Sequence, residues 1–449
     1  MISVQEADEL TRVGPQTPTG AFLRQFWLPF LPSDAVTPGG EPFPVRLLAE
    51  DLIAFRREDG QVGLVDTACA HRRAPLLYAR NEGCGLRCVY HGWQFDTAGQ
   101  CTDMPAEPPT SRFKQHIKIK AYPVRERNGV LWTFMGTPLV ATGEPPELPE
   151  LPDLEWNLVP AQNVHVSFRV QETDWLSAYE GEIDSAHAPI LHGRLDSTSK
   201  RSNTMAARTG RPIFDVVQQD FGVSVGARRP IGDGAELYWR VNQFVLPFYT
   251  LVPPKSAEWA ELTGHAWVPI DDTHTLCVGF TYLPDQPLKE RMVDVFVNSH
   301  KGRETGHPSR LAYDETIPHN EPYWKFVSRY RRATNFLFDY ELQRETYFSG
   351  LPGLWVQDSG TQSGASYLAP RSHEHLTSSD AGLVIARQTV RDCVESYRAS
   401  GELPAIAARP DLYHVRSVAA VLKSDESWTE ALEGFVRRSG GAPLGYEIP

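Results

Sequence analysis

Cysteine is scarce in this chain, six among 449 residues. Four of the six, Cys84, Cys101, Cys277 and Cys393, show no paired spacing and read as free thiols rather than a disulfide framework. No basic-plus-apolar segment opens the sequence, and no apolar run approaches the length needed to cross a bilayer. Together these absences lead us to expect a reducing, cytoplasmic setting and no membrane contact. Positive charge is not in excess either: the formal net charge is −12. That argues against a nucleic-acid surface and suits a soluble enzyme that docks a redox partner, although acidity can also serve solubility alone. There is no internal repeat, no low-complexity tract and no strand–GxGxxG–helix signature. The chain is therefore not expected to hold a nicotinamide or flavin, and any electrons it uses must come from another protein.

What is present is a pair of short metal-ligating arms: Cys69-Ala-His71, sixteen residues, then Cys88-Val-Tyr-His91. One cysteine and one histidine per arm can hold a two-iron cluster, two thiolates on one iron and two imidazoles on the other. Neutral imidazoles in place of two thiolates raise the cluster's potential, which suits stepwise electron transfer. A structural zinc site is the alternative for the same four residue types, but zinc fingers place like ligands together. His71-Arg72 and the run His91-Gly92-Trp93-Gln94-Phe95 also favour iron–sulfur, glycine letting the backbone approach a cluster closely.

In these residues the chain resembles the Rieske family. Rieske subunits of respiratory complexes carry an extra cysteine in each arm; here Ala74 and Tyr90 occupy those positions, so their disulfide cannot form. The arms lie among short β-rich runs, Val45–Ala49, Leu52–Phe55 and Val62–Val65, with hairpin signals at Asp59-Gly60 and at Asn128-Gly129 before Val130–Phe134. Beyond Gly136 the composition changes. Pro138, Pro145, Pro146, Pro149 and Pro152 fall among acidic residues and predict a stiff connector, with a domain boundary near residue 155. Residues 1–155 then form the cluster domain with its N-terminal extension and linker, and residues 156–449 a second, larger domain. In that second part we expect a strand over Tyr238–Leu246. A helix is expected to start after Ser378-Ser379-Asp380, whose side chains can cap it, and to end near Gly401, with Leu383, Ile385, Ala386, Val390 and Val394 along one face.

The second domain opens with Asp184, His187 and His192 in a D-x2-H-x4-H pattern. Asp184 and His187 would share a face of a helix, whereas His192 would not unless the helix kinks or ends at Pro189. Two converging histidines can supply two corners of a 2-His-1-carboxylate triad for non-haem Fe(II), though histidines near an aspartate are more often surface or capping residues. Spacing alone does not identify the third ligand.

Found downstream of the Rieske arms, the pattern resembles the catalytic α subunit of the Rieske non-haem iron oxygenases, in the phthalate dioxygenase-like branch. Gly353-Leu-Trp-Val-Gln-Asp358, Gln362 and Arg371 through Asp380 are similar to that branch's C-terminal part. The resemblance runs from Leu10-Thr-Arg-Val-Gly-Pro to the helix near residue 400. It implies an α+β fold, an all-β Rieske domain followed by a helix-grip (START-like) catalytic domain with a large antiparallel sheet. It also implies a [2Fe-2S] cluster on Cys69, His71, Cys88 and His91, and a mononuclear Fe(II) on His187, His192 and Asp358, with Asp339 as the runner-up carboxylate. The implied partners are an NAD(P)H-dependent reductase, acting directly or through a ferredoxin, dioxygen, a small aromatic substrate, and further copies of the chain in a homotrimer or stacked trimers. Asp184 would bridge two subunits, orienting its own His187 and accepting a hydrogen bond from a neighbour's His91. Two departures from the branch, Arg73 for glycine and Ser363 for glutamate, touch no proposed ligand but weaken any transfer of substrate identity.

The branch favours aromatic acids and aryl ethers, and a carboxylate would call for an arginine anchor, for which Arg208, Arg211 and Arg240 are candidates beside a role in surface ion pairs. The same iron supports dihydroxylation, monohydroxylation or dealkylation. Two other readings differ in class: a Rieske electron carrier with an appended binding domain, and a zinc-stabilised binding module. The carrier leaves D-x2-H-x4-H unused; the zinc module would be colourless.

Overall fold

The structure, a computed structural model, describes residues 2–137, 147–195, 211–254, 260–289, 313–367 and 370–437. Among them Asn128 and Gly129 both take left-handed backbone, φ 50° and 77°, the conformation a two-residue hairpin needs to match the twist of its strands. They join β10 (Val124–Arg127) to β11 (Val130–Phe134), which pairs on its other edge with β1 (Trp27–Pro32). A second sheet runs β2 (Phe43–Leu47), β3 (Glu50–Arg56), β4 (Val62–Asp66), β9 (Ala121–Tyr122), and a third β5 (Arg80–Glu82), β6 (Gly85–Arg87), β7 (Gln94–Phe95), β8 (Cys101–Asp103). All their pairings are antiparallel.

The expected run Val45–Ala49 stops at Leu47. Leu48 and Ala49 turn the chain in left-handed backbone, φ 48° and 60°, without a glycine. The reason is tertiary: their amides donate to the carbonyls of Pro269 and Ile270, at 3.0 and 2.8 Å, and Leu48 is fully buried. Contacts to a distant hairpin outweigh the local preference for extension.

The second part is built on eight antiparallel strands: β12 (Val164–Gln171), β13 (Ile213–Gln219), β14 (Gly222–Ile231), β15 (Glu236–Val245), β16 (Tyr249–Val252), β17 (Leu262–Pro269), β18 (Thr275–Tyr282) and β19 (Val418–Lys423). Their order is β12-β18-β17-β16-β15-β14-β13. One edge of β15 is shared: its last residues pair with β16, and Glu236–Val241 pair with β19. The expected strand at Tyr238 lies in β15. This is the large antiparallel sheet of the expected α+β fold.

Eight α-helices are described: α1 (Val4–Thr11), α2 (Pro18–Leu23), α3 (Trp175–Ile183), α4 (Ala188–Leu191), α5 (Tyr340–Glu345), α6 (Leu354–Tyr367), α7 (Ala381–Ser400) and α8 (Trp428–Val436). Helix α7 ends at Gly401, φ 75°, as its sequence predicts, and buries Ala386, Val390 and Val394, while Leu383 and Ile385 are half-buried. Its capping differs from the expectation. Asp380 makes no side-chain bond to the helix; its Oδ2 accepts from the Thr377 amide at 2.6 Å, closing a 3-10 turn ahead of it. Helix α7 packs on β13 and β14, and α3 crosses β15 to β17 and touches both α6 and α7.

Three hydrophobic clusters form among the described residues, the least of them Tyr330, Phe336, Leu351, Trp355 and Val356 around the start of α6. A small one, with Phe55, Leu76, Leu86 and Phe95, lies under the cysteine–histidine arms. The larger core joins β1 and β11 to the big sheet, through a stack of Trp132 on Trp156 and Trp156 on Phe280 at 5.9 and 4.8 Å. Pro138, Pro145 and Pro146 of the expected connector lie outside the described residues. Pro149 is tied down, its carbonyl accepting from Trp27 Nε1 at 2.9 Å.

Candidate metal centres

Each cysteine–histidine arm is a tight backbone turn. The Arg73 amide donates to the Cys69 carbonyl and the Cys69 amide to that of Ala74; in the second arm Gly92 donates to Cys88, and Cys88 to Trp93. Gly92 has φ 75°, and a Cβ there would press on Pro105, so glycine is required. Arg73 has φ 59°, which explains why glycine is usual at its position; this chain holds an arginine in left-handed backbone instead. Cys69 and Cys88 are buried, whereas His71 is exposed and His91 half-exposed. The two imidazoles stand 4.5 Å apart edge-on, and Trp93 stacks flat on His71 at 4.5 Å. Burial, with Cys88 close by, pushes the Cys69 thiol up to about 11. Such thiols become thiolates when a cation binds them. Two buried sulfurs beneath two surface imidazoles fit a [2Fe-2S] cluster of the Rieske type. All six cysteines are free, and none is a disulfide partner for the arms.

The second centre is assembled at a break between helices. Asp184 is the C-cap of α3, and His187 stands at the N-cap of α4, so the two do not share one helix as the spacing suggested. The aspartate instead closes the junction: Oδ1 accepts from the Ala186 amide at 2.6 Å, and Oδ2 from the His187 amide at 3.2 Å while meeting His187 Nδ1 at 3.0 Å. Pro189 neither kinks nor ends a helix. It sits in the first turn of α4, where a missing N–H costs nothing, and the single turn that follows carries His192 round to His187. The third group comes from α6, with Asp358 inside the helix rather than in a turn. Asp339 is engaged elsewhere as the N-cap of α5, accepting from the Glu341 and Leu342 amides.

Helices α3 and α6 can bring these groups together because Gly181 faces Gln362; a Cβ at 181 would collide with that side chain. Gln362 also accepts from Gln171 at 2.6 Å, locking α6 to β12. On its other side α3 is held by a buried ion cluster. Arg371 donates to Glu180 and Asp174 at 2.7 and 3.0 Å, and Arg387 to Glu180 at 2.7 Å. Arg229 donates to the Ser185 carbonyl at 3.1 Å and fixes the loop beside Asp184.

His187 Nε2 lies 3.3 Å from His192 Nε2, and Asp358 Oδ1 lies 3.5 and 3.4 Å from the two. Asp184 takes the proton of His187 Nδ1. Gln357 Oε1, 2.8 Å from His192 Nδ1, takes the other, its own amide nitrogen being committed to the Leu351 carbonyl. Both Nε2 atoms therefore present lone pairs to each other and to a carboxylate oxygen that is buried without a hydrogen-bond partner. Three lone pairs converging in this way call for a cation. Ligand atoms about 2.1 Å from one metal and at right angles would stand roughly 3 Å apart, close to what is seen. Asp184 stays anionic: burial would raise its carboxyl, but the hydrogen bond from His187 outweighs it. Burial raises the Asp358 carboxyl above the usual carboxylate range. The three donor atoms all lie within 4.8 Å of one another, close enough to share a single ion.

Sequence reasoning missed several supporting residues. Gln357 was legible only as the neighbour of Asp358. Nothing in the linear pattern marked Glu182, which binds Thr250 Oγ1 and His265 Nδ1, or Arg169, which reaches His265 from β12. Of the three arginines expected near a substrate, Arg208 lies outside the described residues. Arg211 is exposed, and Arg240 donates to the carbonyls of Pro253 and Pro254.

Residues 26–123 match the model of the Rieske [2Fe-2S] domain, and residues 140–438 that of the LigXa C-terminal domain. The chain is 32% identical to the 3-chlorobenzoate-3,4-dioxygenase oxygenase subunit of Comamonas testosteroni, covering 97% of this chain and all of the relative. It is 30% identical to the phthalate 4,5-dioxygenase oxygenase subunit of Pseudomonas putida, over 97% and 96% of the two chains. Dicamba monooxygenase bound to 3,6-dichlorosalicylic acid shares the fold at a TM-score of 0.54 and 16% identity, over 85% of this chain and 99% of that one.

Proposed function

This chain belongs to the Rieske non-haem iron oxygenases, as a catalytic α subunit of the phthalate dioxygenase-like branch, and we propose that it hydroxylates or dealkylates an aromatic carboxylic acid or aryl ether. The observation that carries the proposal is the meeting of three lone pairs, from His187, His192 and Asp358, in the same chain as the cysteine–histidine arms. Cys69 and Cys88 would hold one iron of the [2Fe-2S] cluster, His71 and His91 the other, and His187, His192 and Asp358 a mononuclear Fe(II). When bound, the cluster stores single electrons and the mononuclear iron activates dioxygen beside the substrate. The chain's own work is positional. Asp184 and Gln357 fix both imidazole tautomers, and the ion cluster on Glu180 holds α3 at the right depth. We divide the chain near residue 155, into a cluster domain and a catalytic domain.

Electrons would come from an NAD(P)H-dependent reductase, directly or through a ferredoxin; a carbazole 1,9a-dioxygenase oxygenase of the same fold, at 17% identity, has been solved with its ferredoxin. A homotrimer or a stack of two trimers suits two exposed apolar faces. One is the cluster tip, with Val89 and Tyr90; the other lies beside the mononuclear site, with Ile190, Leu195 and Phe348. Docking the first on the second copy would cover both and let Asp184 accept a hydrogen bond from His91 of the partner subunit. We place the enzyme in the cytoplasm. No helix among the described residues is long and apolar enough to cross a membrane.

Single turnover tests the reading. Iron-replete protein, reduced without air, is mixed with labelled dioxygen and a panel of aromatic acids and aryl ethers. One labelled atom or loss of an alkyl group identifies a monooxygenase, and two on adjacent carbons a dioxygenase. No product from a fully reduced, three-iron protein would return weight to an electron carrier.

A further inference from the structure

Resting on the oxygenase reading, we propose that Glu182 is a positioning residue of the mononuclear centre, an acceptor that seats the last turn of α3 on the sheet and adds negative charge beside the triad. Two hydrogen-bond chains converge on its carboxylate, and each can run in one direction only. An indole and a guanidinium donate and never accept. Trp267 Nε1 therefore donates to Thr250 Oγ1 at 2.7 Å, and the Thr250 hydroxyl in turn donates to Glu182 Oε2 at 2.7 Å. Arg169 Nη2 donates to His265 Nε2 at 3.0 Å, so the ring proton lies on Nδ1 and is given to Glu182 Oε1 at 2.7 Å. A carboxylate accepts both bonds, whereas a glutamine would turn a donor towards one of them.

The chains start from β12, β16 and β17 and end on α3, two residues before its cap, Asp184. Strand β15 holds the same turn: Asn242 Nδ2 donates to the Glu182 carbonyl at 2.9 Å, and its Oδ1 lies 3.5 Å from Ser185 Oγ. Gly279 stands opposite His265 in the β17–β18 pairing and leaves room for the ring, since a Cβ there would lie 3.0 Å from it. The pair is open rather than sealed. Glu182 and His265 keep 15% and 21% side-chain exposure, against 26%, 17% and 30% for His187, His192 and Asp358. The charge of Glu182 reaches both His187 and Asp358. Local rules disfavour such a residue, because the C-terminal end of a helix repels anions and α3 has no basic residue in its last turn. A cation held by the triad reverses that sign. Negative charge beside it strengthens its binding and favours its more highly charged oxidation state.

The test uses full-length protein carrying the cluster and the mononuclear iron. Chelator competition without air reads the Fe(II) affinity of the histidine site. A redox titration followed by electron paramagnetic resonance reads the midpoint of that iron, with the cluster midpoint as internal control. Glu182→Gln is expected to lose about 10-fold in Fe(II) affinity and to raise the mononuclear midpoint, leaving the cluster midpoint and visible spectrum unchanged. Glu182→Asp, which keeps the charge, should restore the midpoint. Thr250→Val removes one donor without touching α3 and should weaken iron binding in the same direction but less. A glutamine variant that loses thermal stability yet keeps the parent's affinity and midpoint reduces Glu182 to a packing residue and overturns the proposal, while the oxygenase reading stands. If that variant does not fold, parent-like iron affinity in both Glu182→Asp and Thr250→Val overturns it as well. A parent that binds no iron at the histidine site removes both.

Discussion

The two metal centres of this chain are built in opposite ways. The cluster arms are local: each holds its cysteine and histidine within four residues, in one backbone turn, over a small core of their own. The mononuclear centre is assembled from a helix end, a one-turn helix and a second helix far along the chain, and is braced by residues from β12, β17 and α7. Its proposed ligands are correspondingly supported by other side chains, Asp184 behind His187 and Gln357 behind His192. A site formed by a turn needs only the turn; one formed by packing needs every contact that sets the packing.

The sharpest test of that contrast removes a ligand from each. Cys88→Ser should abolish turnover and bleach the cluster while leaving one iron per chain. His187→Ala should abolish turnover equally and leave two irons with the cluster spectrum intact. Iron analysis with visible absorbance reads both, and loss of all three irons from either variant would show that the centres do not fold independently.

Next in size is Asp184→Asn. Both metals should be retained, with kcat reduced by about two orders of magnitude. Turnover near that of the parent, with three irons, would remove the bridging role between subunits. Gln357→Leu should act more gently, because it frees the His192 tautomer without touching a ligand: we expect iron affinity to fall by about 10-fold, with the cluster unaffected. Competition with a chelator measures it.

The smallest effect concerns the seam between the two parts. In the β17–β18 hairpin, burial alone would raise Asp271, but hydrogen bonds from His274 and Thr273 bring it down to about 2; its carboxylate also faces Arg46 of β2 at 3.5 Å. A depressed carboxyl stabilises the fold above its ordinary value near 4, and that contribution is lost as pH falls towards 2. Asp271→Asn should therefore lower stability by about 1–2 kcal/mol at neutral pH, and the gap should narrow below pH 4. Denaturant unfolding at both pH values checks the sign.

The two cysteine–histidine arms proposed to hold the cluster, the strand-and-turn character around them, helix α7 and its glycine stop were legible in the sequence. Each depends on residues close in the chain, where residue type and spacing fix geometry. Asp184, His187 and His192 were legible as a group, but their geometry was not. The sequence suggested one helix with a kink at Pro189, whereas the chain breaks between α3 and α4 and Pro189 begins the new turn. Asp358 came only from resemblance, since several downstream acids fit equally well by spacing. What tertiary structure alone decided was which distant groups meet. The fit of Gly181 against Gln362 sets how closely α3 and α6 approach, and so which carboxylate reaches the histidines. A strand residue's neighbours lie across the sheet and on the helix above it, and neither is written in the residues beside it.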